Sequence, residues 1–235
     1  MILMSCGQKR HDKMNTTETA IEVKKEAVGT VVLVLAELNP QYTKEQTIEL
    51  SKAIDPMVDQ FDGYYGRKMI FGVENPKLMG DIVFYRDVKS FETASEIEMQ
   101  SETCQKFFAT MLPESDLTKM LIGNPIFISP KSDKRTSTVE VALFKAKEGV
   151  NQEQLTQAAL AVNPVLESLD GFVSRKLAIT PDGQWMDILY WTNIENAKSA
   201  LPIVMENETC QAFFGMTDES NSAFMHFDIA IDTER

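Results

Sequence analysis

Histidine, cysteine and tryptophan are scarce in this chain: among 235 residues there are two His, three Cys and two Trp. No two histidines stand at ligand spacing and no cysteine pair is spaced C-x-x-C, so zinc is unsupported and no metal or other cofactor is expected. The sequence lacks G-x-G-x-x-G, a P-loop and a G-x-S-x-G elbow, which argues against dinucleotide, nucleoside-triphosphate and serine-hydrolase chemistry. Positive charge is in deficit, with 23 Lys and Arg against 35 Asp and Glu for a net charge of −12. A nucleic-acid partner, which needs cations to displace counterions from phosphates, is therefore not expected. The same charge opposes an anionic lipid surface, unless a covalent anchor overrides the repulsion.

What is present suits a soluble globular protein of one or two domains, with 43% hydrophobic and 25% charged residues. Residues 1–27 differ from the rest: a short apolar start is followed by a polar stretch with no apolar period. Leu3-Met4-Ser5-Cys6 resembles a bacterial lipoprotein box, which implies lipidation at Cys6, a solvated tether behind it and a place on the bacterial cell envelope. A basic n-region and a full h-region are missing, so either the true start lies upstream or the box is accidental and the segment is a cytoplasmic tail. Membrane contact is expected only through such an anchor. With one cysteine in each half and the third in this segment, a disulfide framework is not expected.

The second half repeats the first. Asp62-Gly63-Tyr64 matches Asp170-Gly171-Phe172, and Glu102-Thr103-Cys104-Gln105 matches Glu208-Thr209-Cys210-Gln211. The offset is 108 from Pro56/Pro164 through Arg67/Arg175 and 106 from Asp81/Asp187 to Cys104/Cys210, so two residues drop out between Ile70 and Gly80. A period of this length is the size of a small domain, and each copy should hold a core. The division expected is a first repeat over 28–128, a linker over 129–136 rich in Ser, Lys and Pro, and a second repeat over 137–235.

Each copy opens with a β-branched apolar strand, Thr30 to Leu38 and Thr138 to Ala146. A helix follows, with Leu50, Ile54, Met57, Val58 and Phe61 in the first copy and Leu155, Val162, Leu166 and Leu169 in the second at helical spacing. Pro56 and Pro164 should bend these helices, and Asp62-Gly63 and Asp170-Gly171 should end them. Two hairpins are predicted, Tyr64 to Phe71 with Gly80 to Arg86 and Phe172 to Ile179 with Trp185 to Thr192. A broken second helix capped by Ser101 or Asn207 comes next, and a last strand near Leu121 to Ile128 or Phe224 to Ile231. The fold class expected is α+β, with two βαββαβ ferredoxin-like repeats.

These motifs resemble the antibiotic biosynthesis monooxygenase family of dimeric α/β barrels, which includes haem-degrading oxygenases. The resemblance rests on Pro-x5-Asp-Gly-[Tyr/Phe] leading into a strand with Arg-Lys, then a broken helix ending in Glu-Thr-Cys-Gln-x-Phe-Phe, and it spans most of residues 30–231. It implies that the two repeats pack sheet to sheet as an intramolecular barrel and that the chain is a monomer. Where the family's helix carries Ser-x-His-x-x-x-Phe, Cys104 and Cys210 stand at the His position, so haem ligation does not carry over and haem binding is the least supported reading.

Strand alternation groups the candidate site residues. Val139, Val141 and Leu143 form a row suited to packing under helices, which leaves Glu140, Ala142 and Phe144 for the space between the sheets. Trp185, Asp187, Leu189 and Trp191 share a face, as do Asp81, Val83 and Tyr85. An interior Asp81, Asp187 or Glu140 without a cationic partner should have a raised pKa suited to proton transfer, and Arg67 and Arg175 are the available cations. The plainer reading is a structural Asp–Arg pair in each half. Trp185, Trp191 and Tyr85, with Glu140 and Phe144, are expected either to line a pocket for a small apolar or aromatic molecule or to be ordinary core. Cys104 and Cys210 begin helices, where a thiolate is favoured, although most such cysteines are buried apolar groups. His226, beside Asp228, is expected as a satisfied rim histidine rather than a base. Two functions stay open: a cofactor-independent monooxygenase-type enzyme in which an acid or base such as Asp187 removes a substrate proton, and a non-catalytic envelope lipoprotein that binds a ligand or protein partner.

Overall fold

The computed structural model describes residues 27–130 and 132–235, so Cys6 and its box lie outside the described residues. In chain order the elements are β1 (Thr30–Leu38), α1 (Lys44–Lys52), α2 (Asp55–Val58), β2 (Tyr64–Gly72), β3 (Leu78–Tyr85), α3 (Val88–Gln100), α4 (Glu102–Phe108), β4 (Met111–Leu112) and β5 (Lys119–Ile128). The second half continues with β6 (Thr138–Phe144), α5 (Gln152–Ala161), α6 (Asn163–Glu167), β7 (Phe172–Ile179), β8 (Trp185–Trp191), α7 (Ile194–Glu206), α8 (Glu208–Phe214) and β9 (Ala223–Asp232).

Eight strands close into an antiparallel barrel. Its order is β1-β3-β2-β9-β6-β8-β7-β5, and β5 returns to β1. The short β4 adds onto the end of β1. In the first half β1 lies between β3 and β5, and in the second half β6 lies between β8 and β9, while β2–β9 and β5–β7 join the halves. Closure leaves none of the eight strands with a free edge, which removes the usual route to edge-to-edge association.

The prolines split the helices rather than merely bending them. Pro56 and Pro164 each sit in the first turn of a new short helix, α2 and α6, where a missing N–H costs nothing. Both α1 and α5 begin with a capping box, Thr43 with Gln46 and Asn151 with Gln154. Gly63 and Gly171 take left-handed φ values of 75° and 74°, which turn the chain into β2 and β7. Ser101 and Asn207 cap α4 and α8, accepting from the N–H groups of Cys104 and Cys210.

The expected sides of the strands are inverted. Val139, Val141 and Leu143 pack with Val31, Leu33, Ile82, Phe84, Ile188 and Tyr190 in the barrel lumen, a cluster to which no helix contributes. Phe144, Trp185, Leu189 and Trp191 instead lie on the outer face against Leu155, Ala159, Leu166 and Phe213 of the helices. Tyr85 lies likewise under the first-half helices with Val58 and Ala94. The physical reason is that a closed lumen is walled by strands whose backbone groups pair with one another, so it favours aliphatic side chains. The acids and arginines go outward, to where helix ends offer carbonyls and polar side chains.

Candidate functional site

On that outer face, each half builds an arginine clamp on the break in its first helix. Arg175 donates from Nε and Nη2 to the two oxygens of Asp187 at 2.7 and 2.6 Å, and from Nη1 to the Ala159 carbonyl at 2.6 Å and Asn163 Oδ1 at 2.7 Å. Arg67 does the same work in the first half, reaching Asp81 at 2.6 Å, Asp55 at 2.7 Å and the Ser51 carbonyl at 2.9 Å. The split helices supply those carbonyls, because residues near a helix end lose their intrahelical donors. Both guanidiniums are buried and each makes four hydrogen bonds; Asp187 is engaged through both oxygens, whereas Asp81 is held through Oδ2 alone and its buried Oδ1 has no hydrogen-bond partner among the described residues. One difference matters: Asn163 stands where the first half has Asp55. Arg67 therefore serves two carboxylates, and burial raises the Asp81 carboxyl above its usual range despite its partner, with Asp55 adding to the rise.

Between β6–β8 and the helices α6–α8 lies a cavity of about 460 Å³. Phe144, Leu166, Leu189, Trp191 and Phe213 wall it, and the half-exposed Leu201, Met205 and Phe224 stand at its mouth. Phe144 stacks on Trp185 with centroids 5.8 Å apart and meets Phe213 edge-on at 5.4 Å. This size, with apolar walls and few polar groups, is that of a small-molecule site. A larger cavity of about 940 Å³ lies at one end of the barrel, beside Lys68 and Lys176. Those lysines are already bridged by Glu234, at 3.2 and 2.8 Å, and Lys68 also meets Asp232 at 2.6 Å.

Glu140 is the acid of the apolar cavity. It is 8% exposed, and burial, reinforced by Asp187, pushes its carboxyl up to about 8. The indole N–H of Trp191 is close enough to favour the carboxylate somewhat, yet it has no hydrogen-bond partner of proper geometry. His226 lies directly across from Glu140 in the β6–β9 register. It is buried rather than at the rim: Nδ1 lies 3.1 Å from Glu74, while Nε2 has no hydrogen-bond partner among the described residues and sits 3.7 Å from Glu140. Asp228, its expected companion, is exposed and two residues along the strand.

Of the residues singled out from sequence, Glu140, Phe144, Trp191, Arg175 and Asp187 come together at this cavity. Trp185 sits behind Phe144. Tyr85 does not join them; it packs edge-on with Tyr64 and Phe91 in the first half, near Asp81 and Arg67. Cys104 and Cys210 are fully buried free thiols, and burial raises both pKa values, which is the opposite of an activated nucleophile. Sequence reasoning passed over Glu98 and Glu74. Glu98, on α3, is pushed up to about 7 by burial and by Asp81, and Val204 occupies the matching place in the second half. Its spacing from Phe91 and Ala94 on the inner helical face was the available signal. Among the described residues no group of His, Cys, Asp and Glu is arranged to hold a metal, and no helix is long and apolar enough to cross a membrane.

No family description matches this chain, and no curated protein matches its sequence. Solved structures do match its fold. A provisionally named monooxygenase from Lactobacillus acidophilus NCFM superposes with a TM-score of 0.62 at 11% identity, over 88% of this chain and 96% of that one. An anthrone oxidase-like protein gives 0.63 at 14% identity, over 88% and 93%. Chlorite dismutase from Candidatus Nitrospira defluvii, in complex with imidazole, gives 0.58 at 10% identity, over 86% and 91%. At such identities the likeness establishes the mixed α/β barrel fold and nothing finer.

Proposed function

We propose that the cavity beneath α7 and α8 is the active site of a monooxygenase-type enzyme that oxidises an electron-rich aromatic molecule without a cofactor, with Glu140 as its base. The observation that carries this reading is a buried acid with no ion pair to an arginine or lysine among the described residues, pushed up to about 8 by burial and by nearby Asp187, in an aromatic cavity with Leu201, Met205 and Phe224 at its mouth. A base with that proton affinity is matched to removing a weakly acidic C–H or O–H proton near neutral pH. For an activated methylene flanked by aromatic rings, deprotonation gives a carbanion that reduces dioxygen. Loss of water then leaves a ketone: one CH2 and one O2 become C=O and H2O, and the substrate supplies all four electrons. Phe144 backed by Trp185 is the stacking wall, and the buried Trp191 N–H lies beside Glu140 and favours its carboxylate form.

In this reading Asp187 and Arg175 position the floor of the site rather than moving the proton, and Asp81 with Arg67 is the first half's structural counterpart. The two halves are read as tandem ferredoxin-like units forming one barrel within a monomer; support comes from the shared element order and equivalent registers. An envelope anchor at Cys6 is a further part of the proposal, supported by the Leu3-Met4-Ser5-Cys6 box alone.

Anthrone is a suitable probe. The chain has only two tryptophans, both in the second-half core, so quenching of their emission reports occupancy of the cavity. Binding with oxygen uptake is expected from the native protein, and Glu140→Gln should keep the binding while losing about 10²-fold or more in rate. Absence of uptake, or uptake indifferent to Glu140→Gln, would overturn the assignment.

A further inference from the structure

The cavity's acid is connected to the surface through the other half of the molecule. Glu74 lies on the loop between β2 and β3, in the first half, and reaches across the β2–β9 seam. Its Oε1 lies 3.1 Å from Nδ1 of His226 and its Oε2 accepts from the His226 backbone N–H at 3.4 Å, while Val73 N–H donates to the His226 carbonyl at 2.9 Å. A carboxylate only accepts, so Nδ1 carries the imidazole proton. The Nε2 lone pair is then turned toward Glu140, 3.7 Å away, a few tenths of an ångström beyond hydrogen-bond length. Phe224 packs edge-on against the ring at 4.9 Å and restricts its rotation.

We infer that Glu140, His226 and Glu74 form a proton relay between the apolar cavity and solvent, and that Glu74 controls it by holding the tautomer of His226. The inference rests on the reading of Glu140 as the proton-handling group. Transfer of one proton from Glu140 to Nε2 leaves a carboxylate facing the cavity and an imidazolium between two carboxylates. Loss of the Nδ1 proton to Glu74, whose side chain is half exposed, delivers it to water, and reversal of both transfers returns it to Glu140. No electrons move. The charged groups facing the relay are Asp187 and Arg175 beside Glu140 and Lys198, 3.2 Å from Glu74.

The two halves point the same way. The strand pair that holds Glu140 and His226 in the second half holds Val32 and Ile122 in the first, at matching register positions. Both residues of the polar pair are thus specific to the half with the cavity, and a barrel strand pair at this place is compatible with two aliphatic residues. A purely structural role would not require the pair to be polar.

Two NMR observables test the relay in the full chain. With only two histidines present, ring ¹⁵N signals in a His11→Gln background report His226 alone, and the Glu140 side-chain carboxyl ¹³C signal is identified by its loss in Glu140→Gln. At a pH where the imidazole is neutral, the Nδ1–H tautomer is expected. Glu74→Ala removes the acceptor, so the proton should move to Nε2 and donate to Glu140, lowering the Glu140 titration midpoint by roughly one pH unit. Glu74→Gln keeps an acceptor oxygen while losing the charge and should leave both observables near native. The relay is overturned if Glu74→Ala leaves the tautomer in place, if the tautomer changes while Glu140 does not respond, or if Glu74→Gln lowers the midpoint as much as Glu74→Ala. A native Glu140 midpoint in the ordinary carboxylate range would instead refute its role as the cavity's base, whatever the tautomer does.

Discussion

At the scale of single residues, burial rather than pairing sets the chemistry. Asp187 and Asp81 were the acids that stood out among aromatics in the sequence, yet each faces its arginine at 2.6 Å. Among the described residues Glu140 has no ion pair with an arginine or lysine, and burial, with Asp187 adding to it, raises its proton affinity. The consequence for stability has a definite sign. An acid whose pKa is higher in the folded than in the unfolded chain binds more protons when folded, so its contribution is fully present below about pH 4.5 and is lost as the pH climbs toward 8. Glu98 acts in the same direction up to about 7. Thermal melts of the native protein should therefore fall between pH 5 and 8, and Glu140→Gln should flatten that fall, gaining on the native protein at the upper end. Equal slopes for the two proteins would show that Glu140 ionises as if exposed.

At the scale of elements, matching helices of the two halves differ where the cavity is. Both α3 and α7 run thirteen residues, but α7 carries Pro202 in its interior, at the position of Glu96 in α3. An interior proline removes a backbone hydrogen bond and crowds the preceding turn. On the same helix Leu201, Met205 and Val204 line the cavity, so the weakened segment is the one that covers it. Replacing Pro202 by Glu, as in α3, is expected to stabilise the fold by up to about 3 kcal/mol, read as a shift in a chemical denaturation midpoint. A destabilised variant would mean that α7 is shaped around its proline. The clamps belong to this scale too, since the breaks before Pro56 and Pro164 provide the carbonyls of Ser51 and Ala159 that the arginines bind.

At the scale of the molecule, neither half is complete. The lumen cluster draws on β1, β2 and β3 from one half and on β6, β7, β8 and β9 from the other. A fragment comprising residues 137–235 would expose Val139, Val141, Leu143, Ile188 and Tyr190 together with the unpaired edges of β7 and β9. It is expected to self-associate, as light scattering during gel filtration would reveal, whereas the full chain should run as a monomer. A well-folded monomeric fragment would contradict the role given to the closed lumen.

How much of this was legible beforehand follows from what periodicity encodes. Repeated Asp-Gly and Glu-Thr-Cys-Gln motifs, β-branched runs and paired prolines located the strands and helices to within a few residues, because caps, turns and helix breaks are local matters. Alternation also grouped Glu140 with Phe144, and Asp187 with Trp191, correctly on shared faces. It could not say which face was which, since in a barrel ringed by helices both faces are buried and both read as apolar. Only closure of the sheet decided that the aliphatic row turns inward and the acids turn out under the helices. The sequence by itself therefore determined the elements, their order and the residues that travel together. Tertiary structure alone placed Glu74 beside His226 across 152 residues of chain, and His226 opposite Glu140, because those contacts depend on how distant strands pair.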